Sequence, residues 1–184
     1  MVDQFVLRSA VDADSIALSQ LRQHTFLETF VEDFAIPYPE HDLKSYFRLS
    51  ASPEAVASKI ADPQLATWVM EDKTSNELVA FAMAGPCELP HPDVCPGEDG
   101  ELRYLFVRRD QRARGHGKRL MNVALTWLQE RYTKRPVWIS VWSGNLKAQK
   151  FYMAYGFNTV GDYSFHVGEW KDHEFIMRRK AHLM

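Results

Sequence analysis

The segment from Glu101 to Leu120, ELRYLFVRRDQRARGHGKRL, constrains the fold more than any other part of the chain. Glu101–Val107 has the composition of a strand, a basic turn holding Gly115 and Gly117 follows, and Leu120, Ala124, Trp127 and Leu128 then mark one face of a long helix. A strand, a glycine turn and a helix in that order aim unpaired backbone N–H groups, and the positive end of the helix dipole, at whatever lies beyond the strand. Glycine lets a bulky anion approach the backbone, because no Cβ intervenes.

Charge is distributed to match. Arg108, Arg109, Arg112, Arg114, Lys118 and Arg119 face one acid, Asp110, a surplus of five in a chain whose total is −2, so the remaining residues carry −7. A nucleic-acid footprint makes a whole domain basic, which this one is not. A nucleoside-triphosphate P-loop needs glycine at 112 and Ser or Thr at 119, and both positions are arginine. A dinucleotide fingerprint starting at Gly115 needs glycine at 120, where Leu120 stands.

Around this segment the pattern is that of one α/β domain spanning residues 1–184, with no internal repeat. The 184 residues, 46% apolar and 25% charged, can bury a core without disulfides or metals. Phe5–Arg8 reads as a strand and Asp12 as the cap of a helix bearing Ile16, Leu18 and Leu21 on its apolar face. Thr25 to Phe47, broken by Pro37 and Pro39, reads as short helices and a variable loop. Pro53–Ala61 reads as a helix, and Ala66–Glu71 with Leu78–Met83 as a hairpin. Cys87 to Gly100 is loop. Val137–Trp142 is a strand, Leu146–Tyr155 a helix stopped by Gly156, and Thr159–Val167 and His173–Arg178 are the last strands. The expected architecture is a central mixed sheet with helices on both faces. The amino terminus lacks a secretory pattern and no apolar run is long enough to cross a bilayer, so a cytoplasmic protein without a membrane partner is expected. Cys87 and Cys95 are then free thiols, and no metal is expected.

Gln111-Arg112-Ala113-Arg114-Gly115-His116-Gly117 resembles the Q/R-x-x-G-x-G/A signature of the GNAT N-acetyltransferases. Downstream, Asn145, Ala148, Phe151, Tyr152, Gly156 and Phe157 resemble the second motif of that superfamily, N-x-x-A-x-x-F-Y-x-x-x-G-F. The two motifs stand in the family's order, and the resemblance covers about residues 75–180. It implies a mostly antiparallel sheet whose Glu101–Val107 and Val137–Trp142 strands splay apart. Acetyl-CoA would lie between them as acetyl donor, its pyrophosphate on the backbone of Arg112, Ala113, Arg114, Gly115, His116, Gly117 and Lys118. Its pantetheine would pair with Leu105, Phe106 and Val107. Asn145 would hydrogen-bond it and Tyr152 would stand near its sulfur.

The chemistry asks for an acid and a base. An amine with a lysine-like pKa of about 10.4 needs roughly 4.6 kcal/mol to reach its neutral form at pH 7. A general base therefore helps, and an acid helps the departing thiolate. The resemblance assigns the acid to Tyr152, which the residues alone would read as packing with Phe151. Glu101 is either the base or a solvated glutamate at a strand end. Among family members the chain most resembles bacterial polyamine acetyltransferases, in Thr25–Phe30, Val141-Trp142 and Ser164–Trp170. Glu28, Glu32 and Asp33 would then hold a second ammonium. The expected partner is a small-molecule amine acting on a monomer or homodimer. The alternatives are a protein N-terminal or lysine acetyltransferase and a non-catalytic acyl-CoA-binding sensor.

Overall fold

The computed structural model of the chain describes residues 3–181. Seven strands form one sheet: β1 (Phe5–Ser9), β2 (Ala66–Asp72), β3 (Glu77–Pro86), β4 (Gly100–Val107), β5 (Val137–Trp142), β6 (Phe157–Val167) and β7 (Trp170–Arg179). They lie in the order β1-β2-β3-β4-β5-β7-β6, antiparallel except where β4 meets β5. That one parallel contact holds only two register pairs, Gly100 with Val137 and Glu101 with Trp138. Beyond them the strands part.

Five helices cover both faces, as the sequence predicts: α1 (Ser15–Phe26), α2 (Glu40–Ser50), α3 (Pro53–Ala61), α4 (His116–Arg131) and α5 (Leu146–Ala154). On one face Leu120, Met121, Ala124 and Leu128 of α4 pack with Met70, Ala82 and Leu102 of the sheet, and Phe151 and Tyr152 of α5 join the edge of that cluster. On the other face Leu18 and Leu21 of α1 and Val56 of α3 pack on Val69 and Phe81. The strands' two-residue alternation sends neighbouring residues to opposite layers, which is why both can be apolar. No helix among the described residues is long and apolar enough to cross a membrane.

The amino-terminal third departs from the sequence expectation in three places. Asp12 opens a short 3-10 turn, and Asp14 is the residue that precedes α1, its carboxylate held by Arg8 at 2.7 Å and by the Val11 N–H at 2.8 Å. Ile16 is 64% exposed, so the apolar face of α1 runs through Leu18 and Leu21 without it. The expected variable loop is mostly helical: α1 runs on into a π-helical stretch, Leu27–Asp33, and α2 begins at Glu40. Pro37 and Pro39 fall in the short link between the two, where a missing N–H breaks no helix.

The long loop after β3 is fastened from below. Asp99, with a fully buried side chain, accepts hydrogen bonds from Trp138 Nε1 at 2.9 Å, Arg135 Nε at 2.8 Å and the Cys95 N–H at 3.1 Å. This fixes the start of β4 against β5 at the point where the two strands still pair. Asp99→Ala leaves those donors without an acceptor and should destabilise the fold by about 2–4 kcal/mol. Urea unfolding followed by tryptophan fluorescence reads it, and a loss below about 0.5 kcal/mol, the range of ordinary surface changes, would mean that the loop is held elsewhere.

Candidate active site

Past Glu101 and Trp138 the diverging strands open a cleft of about 710 Å³. One wall is Leu105, Phe106 and Val107 of β4, the other Ser140, Val141 and Trp142 of β5, and the basic loop with the start of α4 closes one end. Along this stretch β4 keeps its partner β3 and has none on the β5 side. Backbone donors and acceptors there are open to an extended ligand with amides of its own.

The loop has the geometry of an anion cradle. Ala113 and Gly115 both adopt positive φ, +63° and +84°, on either side of Arg114, an alternation that turns successive N–H groups toward one concave point. Gly115 then precedes α4 directly, so the first N–H groups of that helix are unpaired. At Gly117 an added Cβ would meet nothing closer than Phe151 Cζ at 3.9 Å and Val107 Cγ2 at 4.0 Å, which leaves the space in front of the helix end open. The residues present therefore fit a pyrophosphate. Arg112, Ala113, Gly115, His116, Gly117 and Lys118 all border the cleft, whereas Arg114 does not.

The side chains of this loop do something different from what their charge suggests. Arg112 is taken up by Asp33 at 2.8 Å and Thr29 at 3.2 Å, and Arg109 by Asp33 at 2.8 Å and Glu32 at 2.9 Å. Glu28 accepts the Arg109 N–H at 2.9 Å. The three carboxylates expected to hold a second ammonium are thus engaged in tying the π-helical stretch to the phosphate loop. His116 is buried against Phe5, with both ring nitrogens lacking a partner, and burial lowers its pKa. It contributes its backbone to the cradle and is no base.

On the opposite wall, Asn145 caps α5, its side-chain oxygen accepting the Ala148 N–H at 3.1 Å, so its amide NH₂ is left for a ligand. Two turns on, Tyr152 borders the cleft between Phe151 and Phe157, and burial raises its pKa, with the charge of Glu174 adding to the effect. The tyrosine stays protonated throughout the neutral range.

Glu101 lies deeper than expected. It is only 7% exposed, sits at the fork itself rather than on the cleft wall, and accepts the Glu88 N–H at 3.0 Å. Burial pushes its pKa up to about 7. Glu174 of β7, which sequence reasoning missed, does border the cleft, as do Asp172 and Asp33. Tyr163 donates to Glu174 at 3.3 Å, and burial pushes the glutamate's pKa up to about 7, with the charges of Asp172 and Glu101 adding to the shift. A signal for it exists in the sequence, since Asp172, Glu174 and Ile176 alternate along one strand face, and an acid between buried positions is uncommon.

The sequence model of the acetyltransferase (GNAT) family matches residues 24–157. Relatives include an uncharacterized N-acetyltransferase from the pepI 3′ region of Lactobacillus delbrueckii subsp. lactis, 22% identical over 83% of this chain and 86% of that protein. Another, from Mycobacterium bovis, is 27% identical over 77% and 83%. Among solved structures the fold is similar to that of the PaiA N-acetyltransferase from Thermoplasma acidophilum in complex with coenzyme A, with a TM-score of 0.73 at 18% identity over 96% of this chain and 98% of that one. It is also similar to ribosomal-protein-S5-alanine acetyltransferase from Vibrio fischeri, with a TM-score of 0.67 at 15% identity over 98% and 94%.

The protein is therefore an acyltransferase of the α/β class that takes its acetyl group from acetyl-CoA. It belongs to the GNAT acetyltransferase family.

The cradle is testable apart from turnover. Because the space beside Gly117 is open, Gly117→Asp should fold normally, yet it sets a carboxylate against the phosphates. Calorimetric titration with coenzyme A should show a loss of affinity of at least about 10²-fold, which is about 2.7 kcal/mol. Unchanged affinity would place the pyrophosphate elsewhere.

Proposed function

We propose that the protein acetylates the primary amine of a small molecule, with Glu174 as general base and Tyr152 as general acid. One observation carries this reading: Glu174, a carboxylate poised near neutrality, borders the same cleft as Tyr152 and the phosphate cradle. Acetyl-CoA supplies the acetyl group as a thioester. Glu174 takes the proton of the substrate ammonium, directly or through a water, and the freed nitrogen bonds to the acetyl carbon as the carbon–sulfur bond breaks. Tyr152 gives its proton to the departing thiolate, and the second proton that the nitrogen sheds on becoming an amide returns through solvent to the Tyr152 phenolate. A base with pKa near 7 suits this work, being about half unprotonated at neutral pH yet basic enough to accept a proton. Retention of both groups beside the cradle speaks for turnover and against a non-catalytic acyl-CoA sensor.

Glu101 fits a supporting part. It lies at the floor of the fork, and its negative charge is one of those that hold the Glu174 pKa up. Two forms of acceptor compete. A di- or polyamine is favoured by the acidic balance of the chain outside the cofactor loop and by Asp172 and Glu174 in the cleft. Asp172, however, already accepts the Tyr38 hydroxyl and Trp170 Nε1, so Glu174 is the better-placed carboxylate. The rival form, an amine that itself carries an anion, rests on a different part of the cleft.

Thiol release from acetyl-CoA with a panel of amines measures the activity. Tyr152→Phe should lower kcat on the order of 10²-fold with coenzyme A affinity nearly unchanged, and Glu174→Gln should lower it by a similar factor at neutral pH. Since burial raises the Glu174 pKa to about 7, the base is lost as pH falls, so kcat should decline below about pH 7 and level off above it. Glu101→Gln removes a neighbouring negative charge. It should shift that midpoint to lower pH while keeping the plateau. A collapsed plateau in Glu101→Gln with a normal one in Glu174→Gln would exchange the two roles.

A further inference from the structure

Away from the cradle, the cleft ends at a cluster of cations rather than acids. Arg22 of α1 lines it and is only 5% exposed. Its guanidinium lies over the ring of Tyr104 at 4.4 Å, and Nη1 is buried without a hydrogen-bond partner. Among the described residues no ion pair involves it. Arg103 of β4 lines the same end, gives Nη2 to the Pro86 carbonyl at 2.6 Å, and also leaves Nε buried without a partner. Lys59 of α3 stands 5.4 Å from the Tyr104 ring and donates to the Ser50 carbonyl at 3.3 Å. The acid paired with this group is Glu88, at 3.0 Å from Arg103 and 73% exposed, so it is directed largely to solvent.

A guanidinium keeps its charge under all ordinary conditions, so it cannot escape burial by losing a proton. Arg22 and Lys59 converge on one ring with Arg103 near enough to act on Lys59, so the cations repel one another, and a buried charge without a counter-ion is strongly unfavourable. Lys59 shows the strain: burial, then Arg22 and Arg103, pull its pKa down to about 8. An arrangement of this kind is relieved by an oxyanion, which the flat guanidinium fork matches with two parallel hydrogen bonds. Tyr46 lines the same cleft, and the charges of Glu174 and Arg22 act on its hydroxyl with opposite sign.

We infer that the Arg22 end of the cleft binds an anionic group of the acceptor, so that the substrate is an amine with a carboxylate or phosphate at its far end, the amine lying toward Glu174 and the anion on Arg22. This rests on the acetyltransferase reading above and narrows its substrate class. It predicts that the enzyme distinguishes two molecules of equal length by the group at the end remote from the reacting amine.

The test compares matched series in the thiol-release assay: ω-amino carboxylates of three to six carbons, aminoalkylphosphonates, and diamines of the same lengths. The amino acids or the phosphonates should exceed the matched diamines in kcat/KM by at least about 10²-fold, the better of the two naming the anion, and the best length measuring the span of the cleft. Arg22→Met should erase that preference, chiefly through KM, while coenzyme A affinity reports that the variant is folded. The same substitution removes an unpaired buried charge, so its Tm should rise in the absence of ligand. Separately, butyrate and propylphosphonate, which carry no amine, should raise the Tm of the parent and leave that of Arg22→Met unmoved. Diamines acetylated as well as their anionic counterparts, or a parent protein indifferent to both anions, would overturn the inference. An Arg22-dependent Tm shift without turnover of any amine would uphold the anion site and count against the acetyltransferase reading instead.

Discussion

The parting of β4 from β5 after two register pairs is the constraint on which the rest of the molecule depends. A sheet interior does not ordinarily leave two adjacent strands unpaired, because each open N–H and C=O gives up a hydrogen bond. Here β4 is held along its other side by β3, and β5 by β7, so neither strand can turn to meet the other. Asp99 and Arg135 fasten the closed end of the fork, and α4 and α5 lie against one face of the sheet around it. The open backbone edges thereby become binding groups rather than defects. They stand open to a ligand with amides of its own.

The basic run between Arg108 and Arg119 illustrates how poorly charge alone predicts role. Its arginines serve mainly as internal fasteners: Arg108 on Glu77 and Asp110, Arg109 on Glu32 and Asp33, Arg112 on Asp33. The proposed anion site is made of backbone instead, through the positive φ of Ala113 and Gly115 and the unpaired start of α4. The two arrangements cooperate. By clamping the π-helical stretch to the loop, the arginines fix the backbone in a conformation that a non-glycine residue such as Ala113 adopts only reluctantly. A π-helical irregularity in α1 is the means by which Glu28, Glu32 and Asp33 reach that loop.

The cofactor half of the site was legible in the sequence because it is contiguous. Strand, turn and helix follow one another from Glu101 to Arg131, and Asn145 to Gly156 form a second continuous unit, so local spacing carries the information. The proposed acceptor half was not legible for the opposite reason. Arg22, Tyr46, Arg103 and Glu174 come from α1, α2, β4 and β7, and only tertiary packing brings them to one cleft. Glu101 shows the limit from the other side. It was visible as an acid on the right strand, yet its depth depends on the bulge between Met83 and Ala84 and on the loop that starts at Cys87, neither of which local pattern reveals. The short helices and variable loop expected from Thr25 to Phe47 proved mostly helical, because the two prolines occupy only the link between helices.

What remains is the relation between the two carboxylates and the cations. Glu101 is buried and Glu174 half-buried, and the removal of each from water pushes its pKa up to about 7. Burial is what chiefly keeps Glu174 basic, the charges of Asp172 and Glu101 add to it, and a cation beside it would lower its pKa and weaken it. Arg103 acts on Glu101 and lowers its pKa, whereas no arginine is among the groups that shift Glu174. Separating the two signs along one apolar groove also strengthens each, because the aromatic walls of Phe26, Tyr46 and Phe47 exclude the water that would screen them. The aromatic richness of the amino-terminal third, unremarkable as composition, thus sets the dielectric in which both the proton transfer and the recognition of substrate take place.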